Sequence, residues 1–345
     1  MITVIVTGVG SNIGQGIIKA IRMSGLRVRI IGSDINPLSA GLFRCDKGYV
    51  LPPAYSGDFK DSIVTVCKDE NVDMILIGSD PEVPFFAGAK QEIERLTEAF
   101  ILVSNPAIVN TFHDKWESFL FLRRNGFNCP ETILRDSDSL KDYIKDIGFP
   151  LVVKPRVGGG SKNVFIVKDE IELECALGKI ADPVIQEYID QDDEYTAGIF
   201  FDSSSDIKGI ITMKRELLSG TTYRAIVDDF PVVKKEMRRI AESLSRNGAS
   251  GPINVQCRMS KNGPKTFEIN PRFSGTTAFR ANFNFNEPAA AIRHFIMGEE
   301  LEELEYSKGI VMRYWEEVYI TLENGRHIMK EGSIEKPDSE IKRVF

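Results

Sequence analysis

Cysteine and histidine are scarce in this chain of 345 residues, which contains five cysteines and three histidines. The cysteines are scattered, odd in number and never in a CxxC pair, which excludes a disulfide scaffold or a thiolate zinc site and favours a reducing cytoplasm. The histidines form neither an HExxH motif nor a close pair, so a His-ligated zinc enzyme is not expected. The chemistry of this chain should therefore depend on other residue types.

Long apolar runs and an excess of positive charge are also missing. No run approaches the ~20 apolar residues that cross a membrane, and the N-terminus has no basic region or cleavage signature, so we expect no membrane segment and no signal peptide. Lys and Arg number 43 against 50 Asp and Glu, and the resulting net charge of −7 argues against a general nucleic-acid binder. We therefore expect small-molecule partners, with self-association into a homodimer left open.

The composition is otherwise that of an ordinary globular protein. Hydrophobic residues make up 42% of the chain and charged residues 27%, which excludes disorder and a coiled coil. The length predicts roughly two or three domains. In the N-terminal third, short apolar runs at 2–7, 28–31, 74–77 and 100–103 alternate with helical patterns. This alternation predicts βαβ units and an open parallel sheet.

A glycine-rich loop follows the first predicted strand at residues 8–14. One interpretation is a dinucleotide site in which Asp34 holds a ribose, as in an NAD-dependent oxidoreductase. The spacing is GxGxxxG and not GxGxxG, however, and glycines are also common at this position because helix and strand must pack closely. A third interpretation is that the loop amides and the helix N-terminus hold an anion. The residues leave these alternatives open.

A helix and a second glycine-rich stretch follow in the middle of the chain. The apolar spacing predicts one helix from Asn105 to about Asn125, and this helix carries Lys115. A predicted strand at 149–155 holds Lys154, and the glycine-rich stretch contains Gly158, Gly159, Gly160, Ser161, Lys162 and Asn163. A lysine supplies a point charge and glycines let backbone N–H groups approach oxygens, so the pattern suits a polyphosphate. The alternative is a flexible hairpin with a solvated lysine.

Two glutamates lie at strand ends further along the chain. Glu187 lies in the predicted strand 183–189 at its exit, and Glu194 begins the next strand. An adenine edge needs a backbone donor and acceptor near such an exit, and a ribose diol needs a carboxylate. Both glutamates suit these roles, although surface strands also carry glutamate for solubility alone.

The most informative pattern is a hairpin with oxygen-bearing side chains on one face. Glu268 and Asn270 share a face of the returning strand, whereas Phe267 and Ile269 are expected to point into the core. Gln256 joins them from the paired strand, and such oxygen donors suit Mg²⁺. The alternative is an exposed hairpin face.

Arg272 follows two residues after Asn270 on the same predicted face. Its guanidinium is placed to clamp a carboxylate or a phosphate with two parallel hydrogen bonds.

Taken in order, these motifs resemble those of a known family. LVVKPR with GGGSKNV, IQEYI with DEYTAGIF, and INVQ with FEINPR occur in sequence across residues 113–272. They are similar to the ATP-grasp superfamily, most closely to the branch of the carbamoyl-phosphate synthase large subunit. The N-terminal segments GVGSNIGQG and GSDINP resemble the α/β domain that precedes it in that branch.

The resemblance implies an α/β and α+β fold in which an open parallel α/β domain precedes a two-lobed ATP-grasp fold. The domains expected are a Rossmann-like pre-ATP-grasp domain (1–108), a small lobe with the glycine-rich lid (109–187), a large lobe with the Mg²⁺ site (188–305) and a C-terminal extension (306–345).

The resemblance also implies roles for single residues. Arg272, Lys154 and Lys214 are the expected catalytic residues, with Arg272 on the carboxylate being activated and Arg215 as a further cation beside Lys214. The expected ATP contacts are Lys115, Lys154, Gly158, Gly159, Gly160, Ser161, Lys162, Glu187, Tyr188, Ile189 and Glu194. The expected ligands of Mg²⁺, or of Mn²⁺ in its place, are Gln256, Glu268 and Asn270.

The chemistry implied is that of an ATP-dependent ligase. ATP phosphorylates a carboxylate, and an amine or ammonia then displaces phosphate to give an amide and ADP. Such a transfer needs positioning and charge neutralisation, and no protein nucleophile. The alternatives are a non-catalytic ATP-binding regulatory subunit and, on the GxGxxxG loop with Asp34 alone, an NAD-dependent oxidoreductase.

Substrate specificity is expected from segments outside the ATP motifs. These are residues 219–224 and 273–285, and Arg280 in the second segment is a candidate anion binder. Residues 309–320 have the composition of a strand, and we assign no role to the histidines.

Overall fold

The computed structural model describes residues 1–160, 162–190, 193–314, 316–337 and 339–340. The strands are β1 (Ile2–Val6), β2 (Val28–Asp34), β3 (Lys47–Val50), β4 (Met74–Leu76), β5 (Phe100–Leu102), β6 (Thr132–Leu134), β7 (Leu151–Pro155), β8 (Phe165–Val167), β9 (Pro183–Glu187), β10 (Glu194–Phe201), β11 (Ile207–Leu218), β12 (Thr221–Val227), β13 (Gly251–Ser260), β14 (Gly263–Asn270), β15 (Gly309–Met312), β16 (Tyr319–Ile320), β17 (Ser333–Glu335) and β18 (Ser339–Glu340). The helices are α1 (Asn12–Met23), α2 (Phe59–Glu70), α3 (Glu82–Thr97), α4 (Pro106–His113), α5 (Lys115–Arg124), α6 (Leu140–Ile147), α7 (Glu170–Leu177), α8 (Pro231–Arg246), α9 (Thr277–Asn282), α10 (Glu287–Ala291) and α11 (Leu322–Glu331). In these ranges no helix combines the length and apolarity that crossing a bilayer requires.

The N-terminal region forms a parallel sheet with strand order β3-β2-β1-β4-β5, and β17 adds an antiparallel strand beside β3. Val4, Ile5 and Val6 of β1 are fully buried, since helices cover both faces of the sheet. The predicted open parallel sheet is therefore confirmed. The strand order reverses between β1 and β4, and open α/β sheets bind ligands at the carboxyl ends of strands at such a point.

Two antiparallel sheets follow in the chain. The small sheet has the order β6-β9-β7-β8, and the glycine-rich stretch connects β7 to β8. The large sheet has the order β14-β13-β10-β11-β12-β15, with α8 packed on one face. Ile211 and Met213 on its other face share one hydrophobic core with Val4 and Ile17 of the N-terminal region. The parallel sheet and the large sheet are therefore held rigidly against each other.

The single helix predicted from Asn105 to about Asn125 is wrong, because the chain breaks at Asp114. This residue has an extended backbone (φ −102°, ψ 121°) and its carboxylate accepts a hydrogen bond from the Trp116 amide at 2.8 Å, which caps α5. Asp114 also forms a β-bridge with Val157 and an ion pair with Arg156. These contacts link the start of α5 to the glycine-rich stretch, and they bring Lys115 beside it.

Arg280 is not an anion binder, in contrast to the sequence-based expectation. It is completely buried, and it forms an ion pair with Glu287 at 2.9 Å and a hydrogen bond with Asn254. Two buried charges of opposite sign need each other, since either one alone would be an uncompensated charge in the core. The pair therefore joins α9, α10 and β13.

The C-terminal region returns to both sheets. The strand predicted within 309–320 is present as β15, which pairs with β12 at the edge of the large sheet. Further on, α11 and β17 bury Ile328 and Ile334 against the N-terminal sheet. This region therefore connects the parallel sheet to the large sheet a second time.

Glu82 is a buried carboxyl group at the start of α3. It is 8% exposed, and it accepts a hydrogen bond from the Thr7 hydroxyl at the end of β1. Burial raises the pKa of Glu82 to about 7, because the charged form loses its hydration.

We expect Glu82→Gln to change how stability depends on pH. Between its unfolded pKa and about pH 7 the folded state binds more protons at this site, so the free energy of unfolding of the wild type falls as pH rises through that window. Above pH 7 the wild type bears the full cost of burying the charged carboxylate. The free energy of unfolding of the variant, relative to that of the wild type, should therefore be higher there than at pH 4 by on the order of 3 kcal/mol. Urea unfolding of both proteins across this range measures the effect. Glu242→Gln on the exposed face of α8 is the control, and a Glu82→Gln difference that is flat with pH would contradict the expectation.

Candidate active site

A cleft with a volume of about 310 Å³ lies between the small sheet and the large sheet. This volume is at the lower end of the range for small-molecule sites, roughly 300–1,000 Å³. One end of the cleft is closed by Asn12, Ile13 and Asp80, which lie just after β1 and β4 of the parallel sheet. The cleft is therefore closed at this end by the edge of the parallel sheet where the strand order reverses, between β1 and β4.

Two lysines of the cleft, the buried Lys154 and the half-buried Lys115, form no ion pair among the described residues, and Glu268 is the carboxylate whose charge acts on both. Lys154 on β7 is 7% exposed and donates to Gln186 Oε1 at 2.8 Å. Lys115, at the start of α5, donates to the Gly158 carbonyl at 2.6 Å. Burial lowers the pKa of Lys154 to about 8, and it also lowers the pKa of Lys115. An anion between these ammonium groups would supply the missing negative charge.

The glycine-rich stretch covers the same part of the cleft. Gly158, Gly159, Gly160 and Lys162 line it, whereas Ser161 lies outside the described residues. Gly158 and Gly160 have φ values of 126° and 68°, which favour glycine over residues with a Cβ. The stretch therefore presents backbone to the cleft next to both lysines.

The opposite end of the cleft contains the residues predicted to contact the nucleoside. Tyr188 and Ile189 line it, as does Glu187, whose carboxylate forms an ion pair with Lys265 at 2.6 Å. Glu194 also lines the cleft, with one oxygen bonded to Arg215 and the other to Arg258.

The predicted oxygen cluster is brought together on β13 and β14. Gln256 and Glu268 are directly opposite in the sheet and both line the cleft. Asn270 lies two residues beyond Glu268 on β14, opposite Asn254, and is not among the described residues that line the cleft. Its Oδ1 atom accepts a hydrogen bond from Arg272 at 3.2 Å.

The donor types of this cluster fit a hard divalent cation, but the amide oxygens of Gln256 and Asn270 accept hydrogen bonds from Arg215 at 2.7 Å and from Arg272 at 3.2 Å, so a cation would have to replace these bonds. Four carboxylates line the cleft, and Glu268 is the one without an ion pair among the described residues. Among the described residues, the Nδ2 atom of Asn270 is buried and has no hydrogen-bond partner. A bound ligand or a rotated amide group would satisfy it. Amide and carboxylate oxygens are the donors that Mg²⁺ prefers.

Two expectations about side-chain direction are wrong. Lys214 does not line the cleft and forms an ion pair with Asp193 at 2.6 Å; its neighbour Arg215 faces the cleft, because adjacent strand residues point to opposite faces. Phe267 lines the cleft and does not point into the core. A bulge pairs Gln256 with Glu268 and Cys257 with Thr266, so Phe267 has no residue opposite it.

Arg272 lines the cleft as predicted, and it is held by a residue that the sequence reasoning missed. Both carboxylate oxygens of Asp80 accept hydrogen bonds from Arg272, at 3.0 Å for the Nη2 contact. Asn254 and Arg258 were missed as well, although they alternate with Gln256 along β13 and strand periodicity would have found them. The signal for Asp80 was its place directly after a predicted strand.

The remaining wall of the cleft comes from the segments predicted to set specificity. Gly220, Thr221 and Thr222 contribute from the first segment, and Ser274 and Gly275 contribute from the second. A Cβ on Gly275 would lie 2.6 Å from the Nδ2 atom of Asn12, so a larger residue there would require this side chain to move.

The first glycine loop is explained by packing. A Cβ on Gly14 would lie 2.4 Å from the Gly8 carbonyl oxygen. Asp34 is engaged within its own loop, where it accepts from the Gly10 amide at 2.6 Å and from the Ser39 hydroxyl at 2.7 Å. The carboxylate that the NAD interpretation assigns to a ribose is therefore already occupied.

Comparisons with known proteins agree with this geometry. Residues 112–276 match the family described as ATP-grasp domain, and residues 4–100 match the family described as PylC-like, N-terminal domain. The carbamoyl phosphate synthase large chain of Methanocorpusculum labreanum is 24% identical over 334 residues, which cover 88% of this chain and 31% of that protein. The chain thus spans about a third of the length of the curated relatives it matches first.

Solved structures show the same fold. N5-carboxyaminoimidazole synthetase from Staphylococcus aureus, complexed with ADP, has a TM-score of 0.71 at 14% identity, covering 91% of this chain and 82% of that one. The biotin carboxylase domain dimer of the Hydrogenobacter thermophilus 2-oxoglutarate carboxylase, in complex with MgADP, ADP and bicarbonate, has a TM-score of 0.66 at 17% identity, covering 89% and 73%. Residues 112–276 of the chain therefore match an ATP-grasp domain and residues 4–100 a PylC-like N-terminal domain, and the chain is similar to carbamoyl phosphate synthase large chains.

Proposed function

We propose that this chain is an ATP-dependent ligase that activates a carboxylate as an acyl phosphate and couples it to an amine or ammonia, with release of ADP and phosphate. The observation that carries this proposal is the convergence of Lys115, Lys154, the glycine-rich stretch and the unpaired Glu268 on one cleft. Two lysines without charged partners and a free carboxylate, all in described residues, are what a triphosphate with its metal ion would complete.

ATP and Mg²⁺ are the cofactors we propose, with Mn²⁺ as a substitute of similar ligand preference. The bound nucleotides of the Staphylococcus aureus and Hydrogenobacter thermophilus proteins support this choice. Gln256 and Glu268 would hold the metal ion, with Asn270 beside them. When bound, the ion neutralises charge on the transferring phosphoryl group.

Each cleft residue then has a physical task in the reaction. Lys115 and Lys154 attract and position the phosphates, and the glycine-rich stretch excludes water that would hydrolyse an acyl phosphate. Tyr188, Ile189 and the exit of β9 receive the base, and Arg272 receives the carboxylate. Arg215, and not Lys214, is the further cation that faces the reacting groups.

We still propose that Glu187 and Glu194 contact the nucleoside, but both carboxylates already have hydrogen-bond partners. Both oxygens of Glu194 are bonded to arginines, so contact with a ribose requires sharing those oxygens or moving Arg215 or Arg258. Glu187 shares its carboxylate with Lys265 and the Glu131 amide in the same way.

The division into domains at residues 108, 187 and 305 is part of the same proposal. The change from the parallel sheet to the small sheet and then to the large sheet supports it. A cytoplasmic location and a homodimer are likewise proposed, the first because the five cysteines are unpaired and four of them are buried.

We expect Lys154→Ala and Glu268→Ala to lower substrate-dependent ADP release by about 100-fold or more, since each removes charge at the transferring phosphoryl group. Lys214→Ala is the matched control, because this lysine lies outside the cleft, and its activity should stay within about threefold of the wild type. The measurement is ADP release with Mg²⁺ across a matrix of carboxylates and amines, with circular dichroism to show that each variant is folded. Full activity of folded Lys154→Ala and Glu268→Ala proteins would contradict the assignment. Tight MgATP binding by the wild type with no release for any pair would favour the regulatory subunit instead.

We also expect nucleotide binding to weaken as pH rises above about 8. Lys154 in the empty cleft loses its proton near this pH, whereas a bound phosphate favours the ammonium form, so binding takes up a proton there. The affinity for a non-hydrolysable ATP analogue with Mg²⁺ should fall by up to about tenfold per pH unit at the steepest point. Titration calorimetry in buffers of different ionisation enthalpy measures the proton uptake. Lys154→Arg stays charged and should lose this uptake, and equal uptake by both proteins would contradict the role of Lys154.

A further inference from the structure

Asp80 lies where three parts of the molecule meet. It follows β4 at the carboxyl edge of the parallel sheet, it lines the cleft, and its carboxylate is 39% exposed. Arg272 binds it from the large sheet, and a Cβ on Gly159 in the glycine-rich stretch would lie 2.9 Å from its Oδ2. Because the parallel sheet and the large sheet share one core, this contact is built into the fold.

The guanidinium of Arg272 is almost fully committed in this arrangement. Asp80 takes its Nε–H and one N–H of Nη2, Asn270 Oδ1 takes the other N–H of Nη2, and the Phe273 carbonyl takes one N–H of Nη1 at 2.8 Å. Four of the five N–H groups are thus used by described residues. A bidentate grip on a substrate carboxylate needs two of them, so Asp80 must first release Arg272.

The position that Asp80 occupies is suited to an anion. Lys115 lies within electrostatic reach of the Asp80 carboxylate, and the glycine-rich stretch passes next to it. The Asp80 carboxylate thus fills a place among cationic groups where a substrate carboxylate or an acyl phosphate would have the same favourable surroundings.

Once Arg272 is released, the Asp80 carboxylate no longer has a cationic partner. The other carboxylates of the cleft have partners: Glu187 has Lys265, Glu194 has two arginines, and Glu268 is the proposed metal ligand. Within the described lining, Asp80 is therefore the acidic group that becomes available when an anion takes Arg272.

We propose that Asp80 is a placeholder for the substrate carboxylate at Arg272 and that, once displaced, it binds the amine that attacks the acyl phosphate. This inference rests on the proposed ligase function and adds the residue that receives the acceptor. The class of acceptor it implies is a primary amine or ammonia that arrives as a cation. An amine enters such a site only after the carboxylate has bound, which orders the two substrates.

The coupling step balances with Asp80 in this role. The ammonium nitrogen gives one proton to the Asp80 carboxylate and becomes a nucleophile. Its lone pair forms the C–N bond, and the C–O bond to phosphate breaks with both electrons leaving on the phosphate oxygen. The second nitrogen proton goes to the departing phosphate, and Asp80 returns its proton to solvent.

The displacement is tested by titrating inorganic phosphate into the MgADP complex by calorimetry. Asp80→Asn removes the competing carboxylate and should bind phosphate roughly tenfold more tightly than the wild type. Asp61→Asn removes the same charge at an exposed position of α2 that does not line the cleft, and it is the matched control. In an Arg272→Lys background, Asp80→Asn should change phosphate affinity by less than about threefold, because competition for the guanidinium is gone.

The titration can overturn the placeholder role in two ways. An unchanged phosphate affinity in Asp80→Asn would show that Asp80 does not compete for the site. Equal gains in the wild-type and Arg272→Lys backgrounds would show a general charge effect without displacement.

The acceptor role is tested with the acid–amine pair that gives the fastest ADP release among the proteinogenic L-amino acids, bicarbonate and ammonium. In Asp80→Asn the acyl phosphate should still form but be lost to water in place of the amine, so the amide formed per ADP released should fall by about tenfold, and Asp80→Glu should restore part of it. A structural role alone would lower both products together. An unchanged amide-to-ADP ratio would overturn the acceptor role. If no pair releases ADP, the proposed ligase function fails together with the acceptor role, and the phosphate titration, which needs no turnover, still decides the displacement.

Discussion

The structure depends on how positive charge is balanced inside one cleft. Six cationic side chains line it against four carboxylates, so the described lining has an excess of positive charge. The arginines are matched by carboxylates: Arg272 by Asp80, and Arg215 and Arg258 by Glu194. Among the described residues, Lys115 and Lys154 donate hydrogen bonds to neutral oxygens, and their charge is costly to bury. A polyanion would remove that cost, and this supports the proposal of a phosphate-bearing ligand.

The fold makes this arrangement possible by combining three sheets. The small sheet carries Lys154 and the glycine-rich stretch, the large sheet carries the oxygen cluster and three arginines, and the parallel sheet closes the end with Asp80. The core shared by the parallel and large sheets holds the backbone segments that carry Asp80 and Arg272 close to each other, while their side chains can still separate. The N-terminal region therefore forms a wall of the cleft.

Much of the fold and of the site could be predicted because both depend on local periodicity. Alternation along a strand predicted that Glu268 and Asn270 share a face, the predicted hairpin added Gln256 from the paired strand, and short β-branched runs identified the parallel strands. The same rule failed at Phe267, where a bulge shifts the register of the two strands. It also failed at Lys214, because adjacent strand residues point to opposite faces and Arg215 is the one that faces the cleft. A bulge depends on how two strands pair, so residues on one strand do not reveal it. Asp114 interrupts an apolar helical pattern because it pairs with Val157 and Arg156, and Arg156 lies 42 positions further along the chain, where a local pattern does not reveal it.

The amino-acid sequence by itself determined the kinds of chemistry available: oxygen donors for a hard cation, lysines and glycines for phosphate, and no thiol or imidazole cluster. It also determined the strands, because side-chain volume and polarity act over neighbouring residues. Only the tertiary structure decided which charges face each other. The bond between Asp80 and Arg272 joins residues 192 positions apart, and the burial of Arg280 against Glu287 turns a candidate ligand into part of the core. Electrostatic energy depends on distance and burial in space, and neither quantity can be read from position along the chain.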